Sequence, residues 1–445
     1  MAYLAASDFS AAIAAFDQAI AFCADEDAAM LYYNRGTARH LLADFPGALA
    51  DFDRAIQIKP DFAQAWNNRG MSHQTLGNLA AALYDFQQAL ALDPAYTQAL
   101  NNRGMVRRST ADLSGALADF THAIALSPRY AEAFNNRGIV HQAMGNLPQA
   151  LADFDQAILL QPSYAQAYSN RGTAKHDLAE QRHPSHLRAF ADHSVISPAR
   201  HDLADAIADF DHALQLSPRA ASASIHHNRG AARQAQGDLP GALADFDHAL
   251  AIDPLHAPTL VNRGTARKAA SDLPGARADL DRALELTPRP SAAPVYHNRG
   301  GIRVLQNDFT GAIDDYNQAL AIDPNLIVAY ISRGNARYHQ RDPLAFTDHW
   351  YALRTSPTLA AREIIQMIAD DLHRDSVAVF RNCEKHLRLN RQDITAYFRR
   401  GLSKLLLDPT SQDAQTDLSQ ILKLEPNLIE VVTLLSTTAK NSHPS

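Results

Sequence analysis

Glycines recur through this chain at a fixed spacing of 34 residues, and this period constrains the fold more than any other feature. The glycines that follow this spacing are Gly36, Gly70, Gly104, Gly138 and Gly172, then the pairs Gly230–Gly264 and Gly300–Gly334. A period of this length indicates a solenoid of helix–turn–helix repeats, in which added length gives more repeats rather than a thicker core.

Each repeat also carries the pattern of an amphipathic second helix. Ala48, Phe52 and Ala55 stand at i, i+4 and i+7, which places them in one apolar stripe. Asp44 stands where a helix N-cap is expected, and Pro60 follows the stripe and ends the helix. No segment alternates apolar and polar residues as a half-buried strand would, so we predict an all-α chain.

These landmarks together resemble the tetratricopeptide repeat over nearly the whole chain. In most repeats a large apolar residue stands four positions before the glycine, as Trp66 and Phe134 do. The residue directly before the glycine is Arg, where the family usually has an apolar residue, so the repeats are of an Asn-Arg-Gly type. The resemblance implies a right-handed superhelical solenoid whose first helices line a concave face.

The period also predicts the organisation of the chain. Residues 1–28 hold only a second-helix pattern, and four regular repeats fill 29–164. A repeat over 165–222 contains a 22-residue insertion near 181–202. The remaining segments are four repeats over 223–358, a degenerate repeat over 359–392, a repeat over 393–427, and a capping helix and tail over 428–445.

Composition narrows the class of partner and the compartment. The net charge of −7 and the pI near 6.3 give no basic footprint for nucleic acid. Two distant cysteines make no disulfide framework, which fits a reducing compartment. The sequence has neither a signal-peptide pattern nor an apolar run of 18 residues. We therefore expect a cytoplasmic protein without membrane insertion and without cofactors.

An Asp follows the Arg of each Arg–Gly pair, in most repeats sixteen residues later. The first six pairs are Arg35 with Asp51, Arg69 with Asp85, Arg103 with Asp119, Arg137 with Asp153, Arg171 with Asp209 across the insertion, and Arg229 with Asp245. The later pairs are Arg263 with Asp279, Arg299 with Asp315, Arg333 with Asp348 and Arg400 with Asp417.

We interpret these pairs as structural. A guanidinium can bind a carboxylate on the facing helix with two parallel hydrogen bonds. The half repeat has Ala15 at the Asp position and no Arg, and the degenerate repeat has Gln366 and Asn382 at the two positions, so the charges occur together or not at all. The alternative is a basic surface for acidic partners, but each matched Asp would cancel its Arg.

A row of asparagines stands directly before these arginines. The row consists of Asn34, Asn68, Asn102, Asn136, Asn170, Asn228, Asn262 and Asn298. It is similar to the asparagine ladder in the repeat region of O-linked N-acetylglucosamine transferases, which holds the backbone of an extended peptide. The resemblance implies a peptide-binding concave face. Equally, each Asn can bond its neighbouring helices and only set the pitch of the superhelix.

Varied polar residues four positions after the glycine would supply selectivity on the same face. The first four of these are His40, Gln74, Arg108 and Gln142. Alternatively, they form an ordinary solvated surface.

The insertion near 181–202 is rich in histidine. It contains His183, His186, His193 and His201. Spacing of the His183-x-x-His186 kind can seat a metal, but no cysteine or acidic cluster accompanies it, so we expect a surface excursion and no metal site.

The sequence contains no phosphate-binding loop, nucleophile motif or metal-ligand cluster. We therefore predict a non-enzymatic scaffold that binds a peptide or protein segment on the concave face. The alternative is a self-assembling structural or assembly-factor subunit of a larger complex, and homo-oligomers are compatible with the sequence. A third reading is a regulatory domain whose effector is encoded separately. The identity of the partner does not follow from the fold.

Overall fold

The described residues of the computed structural model are helical throughout, which confirms the all-α prediction. The structure describes residues 8–22, 28–182, 198–216, 222–342, 344–425 and 428–441. These residues form 23 α-helices and one short 3₁₀ helix, and within these ranges no residue lies in a β-strand. No helix in the same ranges is long and apolar enough to cross a membrane.

The chain divides into two compact bodies, Met1–Asp245 and Phe246–Ser445. The helices of the first body are α1 Phe9–Phe22, α2 Ala29–Leu41, α3 Phe45–Ile58, α4 Ala63–Thr75, α5 Leu79–Leu92, α6 Thr97–Ser109, α7 Leu113–Leu126, α8 Ala131–Ala143, α9 Leu147–Leu160, α10 Ala165–Arg182, α11 Pro198–Leu216 and α12 Ser222–Gln236. The boundary between the bodies falls inside α13, Leu239–Ile252.

The helices of the second body after α13 are α14 Ala257–Ala269, α15 Leu273–Leu286, α16 Ala293–Leu305, α17 Phe309–Ile322, α18 Ile327–His339, α19 Ala345–Thr355, α20 Pro357–Leu389, α21 Ile394–Leu407, α22 Gln412–Leu424 and α23 Ile429–Asn441. The segment α20 is interrupted at Asp375, which has non-helical φ −160° and ψ 85°, so it consists of two consecutive helices.

Repeats 1 to 4, which occupy residues 29–164, each consist of a 13-residue first helix and a 14-residue second helix. Repeat 5 carries the insertion, and both of its helices are longer: α10 has 18 residues and α11 has 19. The insertion residues between these helices, among them His183, His186 and His193, lie outside the described residues.

A tight turn joins the two helices of a repeat and places one residue in the left-handed region. Gly77 and Gly145 hold this position with φ of 77°, where glycine has no steric cost. Ala43 and Ala111 hold it with φ of 60° and 64°, which costs energy for a residue with a Cβ. The next residue is the N-cap of the second helix. Asp44 and Asp112 accept a hydrogen bond from the backbone N–H three residues later, whereas Asn78 and Asn146 make no such side-chain bond.

In most repeats the core is an aromatic ring pressed against a glycine. Phe154 of α9 is fully buried and packs with Leu147, Ala150 and Ala174. A Cβ added at Gly138 of α8 would lie 2.7 Å from Phe154 Cε1, closer than carbon atoms can approach. The recurring glycine therefore lets the first helix lie directly on the ring of the second, which explains its period.

We expect Gly138→Ala to lower the free energy of unfolding by about 1–3 kcal/mol, because the new methyl group overpacks the Phe154 ring. The matched control is Gly264→Ala in the second body. There the core residue is Leu280, and an added Cβ would meet its nearest atoms at 3.2 Å. A helical Ala gains about 1 kcal/mol over Gly, which offsets this mild crowding. Urea titrations followed by circular dichroism measure both changes, and equal losses would contradict the packing argument.

Candidate functional site

All ten Arg–Asp pairs of the sequence meet in the structure with the same geometry. In repeat 4, Arg137 Nε donates to Asp153 Oδ2 at 2.8 Å and Nη2 donates to Oδ1 at 2.6 Å. Across the ten pairs the Arg side chains are 15–21% exposed and the Asp side chains 2–7% exposed. These guanidiniums are therefore turned toward their own carboxylates, and an acidic partner would have to displace an Asp to reach them.

A second cation, which the sequence reasoning missed, binds the same carboxylate in most repeats. It stands four residues after the first Arg, one helical turn later. In repeat 1, Arg39 Nη1 lies 2.8 Å from Asp51 Oδ2, and in repeat 5 the ammonium of Lys175 lies 2.9 Å from Asp209 Oδ2. Repeat 4 has His141 here, at 3.9 Å from the carboxylate. The sequence feature that could have predicted this second cation is a basic residue three positions after the glycine of each repeat.

The first Arg also reaches the preceding repeat. Arg171 Nη1 donates to Asp155 at 2.6 Å, and Asp155 lies in the second helix of repeat 4. Burial lowers the pKa of the Arg171 guanidinium, but hydrogen bonds to Asp209 and Asp155 outweigh this and raise it above its usual value. Each such Arg therefore ties three helices together.

Three of the ten arginines, Arg103, Arg137 and Arg400, make no such bond to the preceding repeat in the described part of the chain. The acceptors present elsewhere are Asp17, Asp53, Asp155, Asp211, Asp247, Asp281 and Asn317. The positions that would serve Arg103 and Arg137 hold Gln87 and Thr121. In the described part of the chain, neither residue bonds these arginines. Repeats 2, 3 and 4 are therefore joined without an ion pair.

The asparagines bond the neighbouring repeat at the junctions of repeats 2 with 3, 3 with 4 and 4 with 5. Asn102 Nδ2 donates to Asn67 Oδ1 at 3.0 Å. Asn136 bonds Asn101 at 2.9 Å, and Asn170 bonds Asn135 at 2.8 Å. Each acceptor is an Asn that precedes the row residue of the preceding repeat. These three bonds correspond to the packing alternative, in which the asparagines set the spacing between repeats.

The other asparagines of the row differ in their partners. Asn68 donates to the Tyr33 hydroxyl at 3.2 Å and the Thr37 hydroxyl at 3.3 Å, and Asn228 donates to Thr173 at 3.3 Å. Within the described residues, three of the row make no side-chain hydrogen bond. These are Asn34, Asn262 and Asn298, all half-buried.

The four selectivity residues do not share one environment. His40 Nδ1 lies 2.8 Å from the Ser72 hydroxyl, and burial lowers its pKa. Gln142 donates to Asp177 at 2.7 Å. Gln74 is half-buried. Burial lowers the pKa of Arg108, whose buried Nη1 has no hydrogen-bond partner.

A cavity of about 590 Å³ lies across repeats 2 to 4, and we call it the tyrosine cavity. Its lining consists of Asn67, Asn68, Met71, Tyr96, Gln98, Asn101, Asn102, Met105, Tyr130, Glu132, Asn136 and Tyr164. Of the twelve residues predicted for the concave face, the cavity contains Asn68, Asn102 and Asn136. The other nine lie outside its lining.

The tyrosines of this cavity are the residues that the sequence reasoning missed. Tyr96, Tyr130 and Tyr164 are 34 residues apart, and each stands directly before the first helix of a repeat. Burial, with smaller contributions from Tyr33 and Asp93, raises the pKa of Tyr96 to about 12. Burial and the neighbouring Glu132 carboxylate raise that of Tyr130 to about 12. These phenols therefore stay protonated near neutral pH and can donate hydrogen bonds.

The described residues contain no cluster of three or more His, Cys, Asp or Glu side chains that could hold a metal ion. His201 of the insertion and His176, which lies before it, belong to the described residues, while His183, His186 and His193 do not.

Four family models match the chain. Two described as "Tetratricopeptide repeat" match residues 1–61 and 42–101, a third of that description matches 131–164, and one described as "TPR repeat" matches 300–340. No curated protein matches this chain.

Solved structures with similar folds include a tetratricopeptide repeat protein from Parabacteroides merdae, with 18% identity over 62% of this chain and 98% of that chain and a TM-score of 0.45. PilW, a type IV pilus biogenesis factor, has 20% identity over 52% of this chain and 97% of that chain, with a TM-score of 0.44. YrrB, whose description mentions an unusual peptide-binding site, has 21% identity over 47% of this chain and 95% of that chain, with a TM-score of 0.35.

Proposed function

Since this chain is a tetratricopeptide repeat protein, we propose that it binds an extended segment of a protein partner in the tyrosine cavity. Repeats of this family form protein-interaction scaffolds, and their all-helical fold is typically non-enzymatic. Which surface of a scaffold binds the partner has to be argued from the side chains of this chain.

The observation that carries the proposal is the continuity of the cavity over three consecutive repeats. Repeat 2 contributes Met71, repeat 3 Gln98 and Met105, and the last residues of the lining are Tyr130 and Tyr164. Apolar surface beside a few hydrogen-bonding groups is typical of ligand sites. An extended segment would cross the repeats and meet an asparagine and a tyrosine at each step.

The asparagines keep hydrogen-bonding capacity for such a segment. A carboxamide has two N–H donors and an oxygen with two acceptor positions. Asn102 and Asn136 each use one N–H in the bond to the preceding repeat. The remaining groups match a peptide backbone, which offers both donors and acceptors and requires no particular side chain. Packing between repeats and binding of a segment are thus compatible roles of one residue.

Photo-crosslinking tests this function. A photoreactive amino acid at Gln98, an exposed residue of the cavity lining, is expected to capture a partner polypeptide in cells that express the full chain. The matched control places the same group at Thr121, which is exposed on the second helix α7. Mass spectrometry identifies the captured polypeptide and the segment that reacts.

Capture at Gln98 that is lost when Tyr130 is also changed to Ala would support the cavity as the binding site. Equal capture at Gln98 and Thr121 would contradict it. Capture of a second copy of this chain would show that the cavity is an assembly surface, which was the alternative function.

A further inference from the structure

The tyrosines of the cavity form a row with a regular step. Tyr96, Tyr130 and Tyr164 hold equivalent positions in three consecutive repeats. The helices that directly follow these tyrosines, α6, α8 and α10, touch each other through the Asn136–Asn101 and Asn170–Asn135 hydrogen bonds. Helices in contact have axes about 8–10 Å apart, so we expect the rings to succeed one another at roughly that distance.

We propose that the tyrosine row binds a proline-rich segment in the polyproline II conformation. This inference rests on the proposed function and names the class of its ligand. A polyproline II helix has three residues per turn and rises about 3.1 Å per residue, so its turns repeat every ~9 Å. This distance matches the step between the tyrosines, so one edge of the ligand meets a new ring on every turn. Aromatic grooves bind such segments because their conformation is already formed before binding.

The hydrogen-bonding groups of the cavity suit the same ligand. A polyproline II backbone makes no internal hydrogen bonds, and proline has a carbonyl acceptor but no N–H donor. The ligand therefore needs donors from its receptor. The phenol of Tyr96 remains protonated near neutral pH, whereas the phenol of Tyr130 faces the Glu132 carboxylate. The carboxamides of Asn102 and Asn136 have N–H groups beyond those used between repeats.

The charge of the cavity favours a basic residue among the prolines. Glu132 is the charged residue of the lining, it is exposed, and it lies beside Tyr130. In the described part of the chain, no Lys or Arg forms a salt bridge with its carboxylate. A lysine of the ligand can therefore pair with Glu132 while the prolines on either side of it stack on tyrosines.

The test compares the affinities of two synthetic peptides for this chain. The first is a fluorescein-labelled peptide of four Pro-Pro-Lys units, and the second contains four Gly-Ser-Lys units and so has the same length and charge. Fluorescence anisotropy is expected to show at least about tenfold tighter binding of the proline peptide. Equal affinities would overturn the proposal. Continued capture at Gln98 would then show that the cavity binds segments of another kind.

Three variants connect the affinity to the row. Tyr130→Ala is expected to weaken the proline peptide about tenfold, whereas Tyr130→Phe keeps the ring and most of the affinity. Tyr84→Ala removes an exposed tyrosine of the second helix α5 and should change nothing. Circular dichroism checks that Tyr130→Ala is folded.

A change at the exposed residue Glu132 should not disturb folding, so it tests the proposal even if Tyr130→Ala is unfolded. Glu132→Gln should weaken the Pro-Pro-Lys peptide several-fold and leave a neutral Pro-Pro-Ser peptide unchanged. If neither Tyr130→Ala nor Glu132→Gln changed the affinity for the proline peptide, the peptide would bind elsewhere on the chain. This result would overturn the proposal.

Discussion

Replacing Arg137 by alanine is expected to lower the free energy of unfolding by about 3–5 kcal/mol, because it leaves a buried carboxylate without its main partner. Asp153 is 5% exposed and accepts both hydrogen bonds of the guanidinium. Arg137 is well suited to this test because it makes no ion pair with the preceding repeat. The loss can therefore be assigned to one pair and to the stacking of Arg137 over Phe134, 5.5 Å from the ring centroid.

The double variant Arg137→Ala/Asp153→Ala is expected to lose much less than the sum of the two single changes. With both charges gone, no carboxylate is left buried and unpaired. Urea titrations of the wild type, the two single variants and the double variant give the coupling energy. Arg129→Ala, on an exposed surface residue, is the control for loss of an arginine as such. Additive losses would show that the pair is not a structural unit.

Phe154→Ala is expected to destabilise the protein by about 3–5 kcal/mol, since it removes a fully buried ring and leaves a cavity. The neighbours cannot collapse into the space, because Ala150 and Ala174 are too small and Gly138 has no side chain. Repeats contact only their neighbours, so the loss should be concentrated in repeat 4 and its two junctions. Hydrogen exchange measured by mass spectrometry should show reduced protection of α8 and α9 before that of α3.

The chain itself supplies the control for this change. The repeat with Gly264 has Leu280 in place of the phenylalanine, also fully buried. Phe154→Leu should therefore cost below about 1.5 kcal/mol, because a leucine fits against the same glycine. A leucine variant as unstable as the alanine variant would show that the aromatic ring itself, and not the filled volume, is required.

The repeat fold could be predicted from the sequence because period, helix pattern and turn residues all indicate the same structure. The fixed distance from Arg137 to Asp153 also indicated which side chains would face each other. Every regular repeat has the same two-helix geometry, so two positions at a fixed separation in the sequence face each other in each repeat. The separation of Arg and Asp along the chain therefore predicts their contact.

The direction of the asparagine side chains could not be predicted in this way. A carboxamide can bond a ligand or a neighbouring helix, and the choice depends on which groups of the adjacent repeat lie within hydrogen-bond distance. Asn102 is within reach of Asn67, whereas Asn34 has no such neighbour in the described residues. The tyrosine row could not be predicted for another reason. Its residues lie in the turns between one repeat and the next first helix, outside the two helix patterns that define the repeat. Tyr130 lines a cavity only because its equivalents in the adjacent repeats stand beside it.

Because two junctions within the tyrosine cavity lack an ion pair between repeats, their stability should depend little on ionic strength. The carboxylates that tie a repeat to the next one are exposed, with Asp53 and Asp155 at 51% and 62%, so dissolved salt screens them. At the junctions of repeats 2 with 3 and 3 with 4, uncharged carboxamides form the polar contact instead, and salt does not screen a bond between neutral groups in this way. The contacts that hold repeats 2, 3 and 4 together at the cavity should therefore change less with salt concentration than the ion-paired contacts at the neighbouring junctions.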